Sequence, residues 1–288
     1  MTCAPSWDEV EALTSGSMGT FDCPCPACGP NRRASANRLR KVLRIWRSDP
    51  GFVSFYCARS GSSGWVRSFA AGAGQTRRPV VTVDLEAERR ARAERTSFAQ
   101  FLFANAGLVE GTLAERYLNS RGVGAGIDLR FSERVPFGYQ SERSGPAMIA
   151  GIRNGTGGII GCQATHLTPS AQKLRRTTFG TMVGGAVQLE PMAKDGQLAV
   201  AEGVETALAF SRLYGLPCWA ALCADNMERY EPPRGVVALT IAADNDVSGR
   251  GLAAAMELAR RTSRRCKAIV SAPPQIGDFN DVLLGSAA

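Results

Sequence analysis

Histidine is almost missing from this chain: His166 is the single one among 288 residues. That excludes a multi-histidine metal centre and leaves one candidate for any serine–histidine–aspartate arrangement. No apolar run approaches the roughly 18 residues that cross a bilayer. The first residues carry Asp8, Glu9 and Glu11 in place of the basic and apolar regions of a signal peptide. The sequence therefore predicts a soluble, cytoplasmic protein with no membrane partner. Lysine is scarce as well, with four against thirty arginines. What is present is a globular composition, 44% hydrophobic and 21% charged. The length suggests about two domains. The nine cysteines are an odd number in a chain long enough to bury its own core, which favours reduced thiols or metal ligands over a disulfide framework.

The net charge is +8, and its distribution says more than its size. Residues 195–285 hold eleven acidic and nine basic side chains, a net of −2, so the remainder carries +10. A basic front and a slightly acidic back suggest a front that holds a polyanion and a back that holds cations. Arginine in place of lysine suits bidentate phosphate contacts, although GC-rich codon usage produces the same bias.

Compositional breaks divide the chain into residues 1–70, a charged linker at 71–95, a basic middle subdomain at 96–193 and a last segment at 194–288. The linker joins the small, flexible AAGAGQ at 70–75 to an almost entirely charged run at 84–95. Past it, 98–108 is apolar enough for a buried helix. Thr112 and Glu115 then have capping-box spacing for a helix over 112–121. Short β-like pieces follow at 147–152, 158–166 and 185–189. From residue 197 onward, strands at 198–201, 218–222, 236–243 and 267–271 alternate with helices at 205–214 and 251–262. The last helix would turn Leu252, Met256 and Ala259 to one face. Such alternation predicts a parallel sheet with crossover helices. The fold class is thus an α+β front and middle followed by a C-terminal α/β domain of Rossmann-like type, with a β-rich module at the N-terminus.

That N-terminal module carries Cys23-Pro-Cys25-Pro-Ala-Cys28-Gly, and Cys57 stands 29 residues beyond Cys28. Two such knuckles are a zinc-ribbon layout, with 42–45 and 52–56 as its strands. The second knuckle reads Cys57-Ala-Arg-Ser60-Gly61, with Ser60 where a fourth thiolate belongs. Either Cys23 joins Cys25, Cys28 and Cys57 around one zinc ion, or water fills the position, or the module holds no metal. Arg32, Arg33, Arg38, Arg40, Lys41, Arg44 and Arg47 crowd the same region, with Trp46 among them and Phe52, Phe55 and Tyr56 just after. Cations that follow phosphates and aromatics that stack bases make this a candidate single-strand surface. In the middle segment, Lys173, Arg175 and Arg176 are further candidates for nucleic-acid contact. His166, alone in a strand pattern, reads as structural.

Open parallel sheets bind ligands beyond the carboxyl ends of their strands. Glu202-Gly203 follows one strand here and Asp244-Asn245-Asp246 follows another, with Asp278-Phe279-Asn280-Asp281 near the end. Side chains two apart on an extended chain point the same way, so Asp244 and Asp246 can converge on one cation. Oxygen ligands without histidine or thiolate select Mg²⁺ or Mn²⁺, which serve phosphoryl transfer.

The stretches AEGVETALA, IAADNDVSGRG and GDFND, within 197–285, resemble the Toprim domain shared by primases, topoisomerases and some nucleases. The resemblance implies Glu202, Asp244 and Asp246 as catalytic and metal-binding carboxylates, with Asp278 and Asp281 as an outer acidic pair. Replicative primases usually carry an aspartate four residues after the first glutamate, where this chain has Thr206. Upstream, GTLAERYLNSRGV, LRFSERVPFG and GGAVQLEP look like the segment preceding Toprim in phage and plasmid primases and primase-helicases. This implies a DNA primase that makes short RNA primers from NTPs on single-stranded DNA in phage or plasmid replication. With no Walker A pattern in the sequence, a separately encoded replicative helicase is the expected partner. A Toprim nuclease and a non-catalytic DNA-binding accessory protein are the alternatives.

Overall fold

The computed structural model describes residues 5–30, 35–68 and 85–285. Its contacts divide the chain into two compact units, residues 1–83 and 84–288. None of the helices among the described residues is long and apolar enough to cross a membrane.

The first unit opens with α1 (Trp7–Thr14), whose start is fixed by a capping box between Ser6 and Glu9. Then come β1 (Gly19–Pro24), α2 (Ser35–Arg38), β2 (Lys41–Asp49), β3 (Phe52–Cys57) and β4 (Ser63–Arg67). The four strands form one antiparallel sheet in chain order. Strand alternation decides which side chains face α1: Leu43, Ile45, Val53, Phe55 and Cys57 are buried with Val10. The same alternation corrects two sequence expectations. Phe55 lies inside and is unavailable to a base. Arg47 also points inward, with its side chain only 4% exposed. It pairs with Glu11 at 2.7 Å, donates to Thr14 Oγ1 at 2.8 Å and sits over the Trp7 ring.

The second unit begins with α3 (Leu85–Ala104) and α4 (Leu113–Ser120). Five strands follow: β5 (Leu129–Pro136), β6 (Ser144–Arg153), β7 (Ile159–Leu167), β8 (Lys173–Gly180) and β9 (Ala186–Val187). The remaining elements are β10 (Gln197–Ala201), α5 (Val204–Tyr214), β11 (Cys218–Ala220), α6 (Ala224–Met227), β12 (Ala238–Ala242), α7 (Arg250–Thr262), β13 (Lys267–Ser271) and α8 (Phe279–Leu283). All nine strands belong to one sheet, ordered β13-β12-β10-β11-β9-β6-β7-β8, with β5 added on β6. The pairs β10–β11, β10–β12 and β12–β13 are parallel, as the strand–helix alternation predicts, and the rest are antiparallel. The middle and C-terminal segments therefore share a single sheet, linked through the two residues of β9.

Three details differ from the sequence reading. The apolar stretch at 98–108 is not buried throughout. The helix ends at Ala104 and lies on the sheet through Phe98, Ala99, Leu102 and Phe103, leaving Phe101 and Leu108 exposed. Thr112 caps α4 by accepting from the Ala114 amide, while Glu115 accepts from Gly111 and not from the cap itself. In α7 the buried face is Gly251, Ala254, Ala255 and Leu258, and the larger Leu252 and Met256 stay exposed. Small residues bring this helix close to β12: a Cβ at Gly251 would lie 2.9 Å from the Asp244 carbonyl oxygen.

An ionic contact with a buried carboxylate and a partly exposed arginine ties the antiparallel part of the sheet to the parallel part. Arg176 on β8 donates through Nη2 to both oxygens of Glu205 on α5, at 2.8 and 2.7 Å, and the Tyr117 hydroxyl of α4 donates to Glu205 Oε1. Burial pushes the Glu205 carboxyl up, but Arg176 and Tyr117 outweigh it and hold it below its ordinary value. A depressed carboxylate stabilises fully above its unfolded pKa of about 4.3 and loses that contribution as pH falls through the lower folded value. Thermal melting should show wild type losing stability below about pH 4. Glu205→Gln should lower stability at neutral pH and flatten that acid limb; parallel acid limbs in the two proteins would refute the assignment.

Candidate functional site

The acidic residues singled out in the sequence gather at the carboxyl ends of adjacent strands. Glu202 follows β10 and Asp244 follows β12, and these strands pair in parallel with Ala201 opposite Ala242. Gly203 and Gly249 are the N-caps of α5 and α7, so each acidic strand end turns directly into a helix. Asn245, between the two aspartates, was not singled out in the sequence, and it fastens the last acidic loop. Its backbone exchanges hydrogen bonds with Gly277 at 3.0 and 2.9 Å, and its side-chain amide donates to the carbonyls of Pro273 and Gln275. Alternation along this stretch commits Asn245 to the loop and leaves Asp244 and Asp246 on the other side.

That clamp places Asp278 and Asp281 beside Asp244. Asp278 caps α8, accepting from the amides of Asn280 and Asp281, and Asp281 accepts in return from the Asp278 amide. The outer acidic pair is thus also a capping box. Burial, then the charges of Glu202, Asp278, Asp246 and Asp281, push the Asp244 carboxyl up to about 7. Burial and Asp246 also raise Glu202, against the Ala224 amide, Arg250 and Arg176. Asp244 Oδ1 is buried without a hydrogen-bond partner. An all-oxygen donor set, crowded enough to resist its own ionisation and holding one orphaned oxygen, fits a hard divalent cation. No three of these carboxylates approach within 4.8 Å of one another, so the set is open and not a closed cage.

Cations stand near this crest. Lys173 and Arg176 point to the same face of β8. Burial, then Arg176, lowers the Lys173 ammonium, while Glu205 and Asp278 act on it in the opposite direction. Arg175 lies on the opposite face, over the Phe137 ring, so the structure separates it from Lys173 and Arg176. His166 is fully buried on β7 with its ring edge against Phe137, 4.6 Å between centroids, which agrees with a structural role.

In the first unit, Cys25, Cys28 and Cys57 bring their sulfurs within 4.8 Å of one another. Two matching turns build this cluster: the Gly29 amide donates to the Cys25 carbonyl, and the Gly61 amide donates to the Cys57 carbonyl, each at 2.8 Å. The match puts Ser60 in the position equivalent to Cys28. Burial raises Cys57, but the Ser60 hydroxyl, the Ser60 and Arg59 amides and the Cys28 thiol bring it down to about 7. Cys23 is not part of the cluster, which corrects the four-cysteine expectation. It lies within β1 opposite Leu43, before a bulge that re-aims the chain, and its thiol donates to the Leu43 carbonyl.

The outer face of the same sheet carries the aromatic residues. Trp46, Ser54 and Trp65 lie in one cross-strand row, Arg44 and Tyr56 in the next, and Phe52 opposite Arg67 in a third. Trp46, Tyr56 and Trp65 are exposed, and the Arg67 guanidinium sits over both Phe52 and Trp65. Trp65 and Arg67 escaped the sequence reading because a single tryptophan in a glycine- and serine-rich stretch gives no pattern. Arg44 is held bidentately by Asp22 at 2.7 Å. Arg38, Arg40 and Lys41 are exposed at one end of the sheet, while Arg32 and Arg33 lie outside the described residues.

A three-thiolate cluster with serine in the fourth position can be tested by metal analysis. Protein purified without chelator should carry about one zinc per chain, because thiolates at this spacing close on zinc. Cys23→Ser should leave that content unchanged, Cys25→Ser or Cys57→Ser should abolish it, and Ser60→Cys should slow loss to a chelator. Loss of zinc from Cys23→Ser would return Cys23 to the ligand set.

Two family comparisons match this chain. Residues 93–189 match a domain of unknown function (DUF7146), and residues 197–288 match the Toprim domain. No curated protein matches. Among solved structures, a DNA primase domain from Pseudomonas aeruginosa is similar at 14% identity and a TM-score of 0.47, over 67% of this chain and 75% of that one. The primase fragment of the bacteriophage T7 primase-helicase protein is 16% identical at a TM-score of 0.39, over 83% and 91% of the two chains. The Aquifex aeolicus primase, with zinc-binding and RNA polymerase domains, is 12% identical at 0.44, over 93% and 76%. With the paired parallel strands, the acids at their ends and the family match all falling on the same residues, 197–288 of this protein are a Toprim domain.

Proposed function

We propose that this protein is a primase-type nucleotidyltransferase that joins ribonucleotides on a single-stranded DNA template. The observation that carries the reading is the gathering of Glu202, Asp246, Asp278 and Asp281 around Asp244 at the strand ends of a Toprim domain, with Lys173 and Arg176 close by. Negative charge alone would repel a nucleotide, so the acids require a cation and the basic residues supply contacts for the phosphates. Asp244 and Asp246 would hold Mg²⁺ or Mn²⁺, with Glu202 from the neighbouring strand end completing the set and Asp278 and Asp281 adding charge from outside. A divalent ion there neutralises triphosphate charge and favours ionisation of an attacking hydroxyl.

The reaction this arrangement serves is attack of a 3′-hydroxyl on the α-phosphorus of an incoming NTP. A new phosphodiester bond forms, the α–β phosphoanhydride breaks, pyrophosphate leaves and the hydroxyl gives up its proton. Lys173 would contact the triphosphate as a point charge. Arg176, immobilised by Glu205, would offer its remaining N–H groups without first losing side-chain freedom. In the first unit, the aromatic outer face and the exposed Arg40 and Lys41 would receive template bases and phosphates. Strand opening would fall to a helicase partner, in the phage or plasmid setting that the sequence resemblance implies.

Incubation with a single-stranded template, four NTPs and Mg²⁺ or Mn²⁺ should give oligoribonucleotides. Asp244→Ala or Asp246→Ala should abolish them while leaving template binding largely intact. Cut template in place of new oligomers would identify hydrolysis at the same carboxylates, and full activity in both variants would reject the site.

Trp65→Ala tests the aromatic face. It should weaken single-strand affinity about ten-fold, since stacking contributes about 1–3 kcal/mol per base, with little change in salt dependence. Unchanged affinity would move the front contact elsewhere.

A further inference from the structure

The carboxylate crest and the aromatic face leave one strongly basic surface without a role. On α3, Glu88, Arg89, Arg92 and Arg95 form one stripe, since residues three and four apart share a helix face. With Gly180 and Thr181 at the end of β8 they line a hollow of about 530 Å³. Arg89, Arg92 and Arg95 have no ion-pair partner among the described residues, unlike Arg44, Arg153, Arg176 and Arg250. Among the described residues of the lining, Glu88 is the sole acid beside three arginines.

A second hollow of about 460 Å³ adjoins it through Arg95 and is lined also by Ala91, Glu94, Tyr139 and Gln140. Tyr139 is 46% exposed. Its ring is backed by Phe98 and Phe179, at centroid distances of 5.7 and 5.2 Å, and its hydroxyl accepts from the Gly180 amide. The ring is fixed on one side and open on the other, next to a row of unpaired guanidinium groups.

Unpaired arginines suit phosphates, and a braced aromatic with a free face suits an unstacked base. A stacked duplex offers no such base, and an acidic protein surface has no use for the ring. We propose that the groove formed by Arg89, Arg92, Arg95 and Tyr139 is a second single-stranded DNA site, on the face of the antiparallel sheet covered by α3. It lies on the other face from Lys173 and Arg176. It also stands at the far end of β8 from Lys173, about 23 Å along an extended strand. The site therefore holds a length of strand away from the acidic crest. This binding needs neither metal nor NTP, so it stands or falls independently of the nucleotidyltransferase reading.

The test uses the full chain in a metal chelator, with a labelled DNA strand of about 16 nucleotides carrying 5-iodouracil. Irradiation should crosslink the strand at Tyr139, identified by mass spectrometry of the peptides. Charge reversal of Arg89, Arg92 and Arg95 to glutamate, all on an exposed helix face, should lower affinity at least ten-fold. It should also reduce the slope of log affinity against log salt by about 2, as expected for three lost phosphate contacts. Tyr139→Ala should weaken binding without changing that slope, and Tyr139→Phe, which keeps the ring, should restore most of the affinity. Circular dichroism and melting confirm that the variants are folded. Crosslinks confined to Trp46 or Trp65, with the charge-reversed protein binding as wild type, would overturn the proposal. So would equal competition by duplex DNA, or tighter binding of an RNA strand of the same sequence.

Discussion

Mutual repulsion among five carboxylates is the constraint around which the larger unit is organised. Like charges gathered at partly buried strand ends resist ionisation, and the fold must hold them there without neutralising them by direct pairing. The means are visible in the backbone. Asn245 anchors the loop that delivers Asp278, and the α8 capping box keeps both of its acids in place by hydrogen bonds from amides. Arg250, whose charge reaches Glu202, makes its direct contacts with Glu228 and Asp225 instead. The protein's own cations leave the acids under-compensated, a deficit that the proposed divalent ion would meet.

Much of this was legible in the sequence because the parallel half of the sheet obeys simple periodicities. The run at 236–243 reads as a strand buried on both faces, and β13 occupies the residues its pattern predicts. The antiparallel half was harder. In β8, charged and apolar residues do not alternate: Lys173, Leu174, Arg175 and Arg176 are all exposed, and a bulge shifts the register between His166 and Leu167. The buried side of α7 was misjudged because hydrophobic size was taken as the signal for burial, whereas close approach to β12 demands glycine and alanine. Cys23 and Arg47 were misassigned for a related reason: type suggested a ligand and a phosphate contact, while strand parity put both inside. Glu205 was invisible because its role depends on Arg176 and Tyr117, distant in sequence and joined only by the fold.

The two faces of the second unit's antiparallel sheet carry separate sets of basic residues. One face presents Lys173 and Arg176 near the acids, and the other is covered by α3, whose Arg89, Arg92 and Arg95 have no ion-pair partner among the described residues. Within the first unit the division is between inside and outside. Thiols and aliphatic residues form the interior, and rings with Arg67 form the exterior. Simple parity sorts the side chains of the first unit, whereas in β8 the bulge resets it and puts Lys173 on the face of Arg176 and away from Arg175.

The narrowness of β9 has a mechanical consequence. Its two residues are the sole strand between β11 and β6, pairing Val187 with Ala220 on one side and with Ile152 on the other. So short a strand adds little ladder between the two halves, and they are joined chiefly by the core that packs across it, where Tyr117, Leu118, Leu129 and Met148 meet Ala199, Ala207 and Phe210. The Arg176–Glu205–Tyr117 contact fastens the same junction. The seam of the sheet is thus carried by side chains more than by backbone.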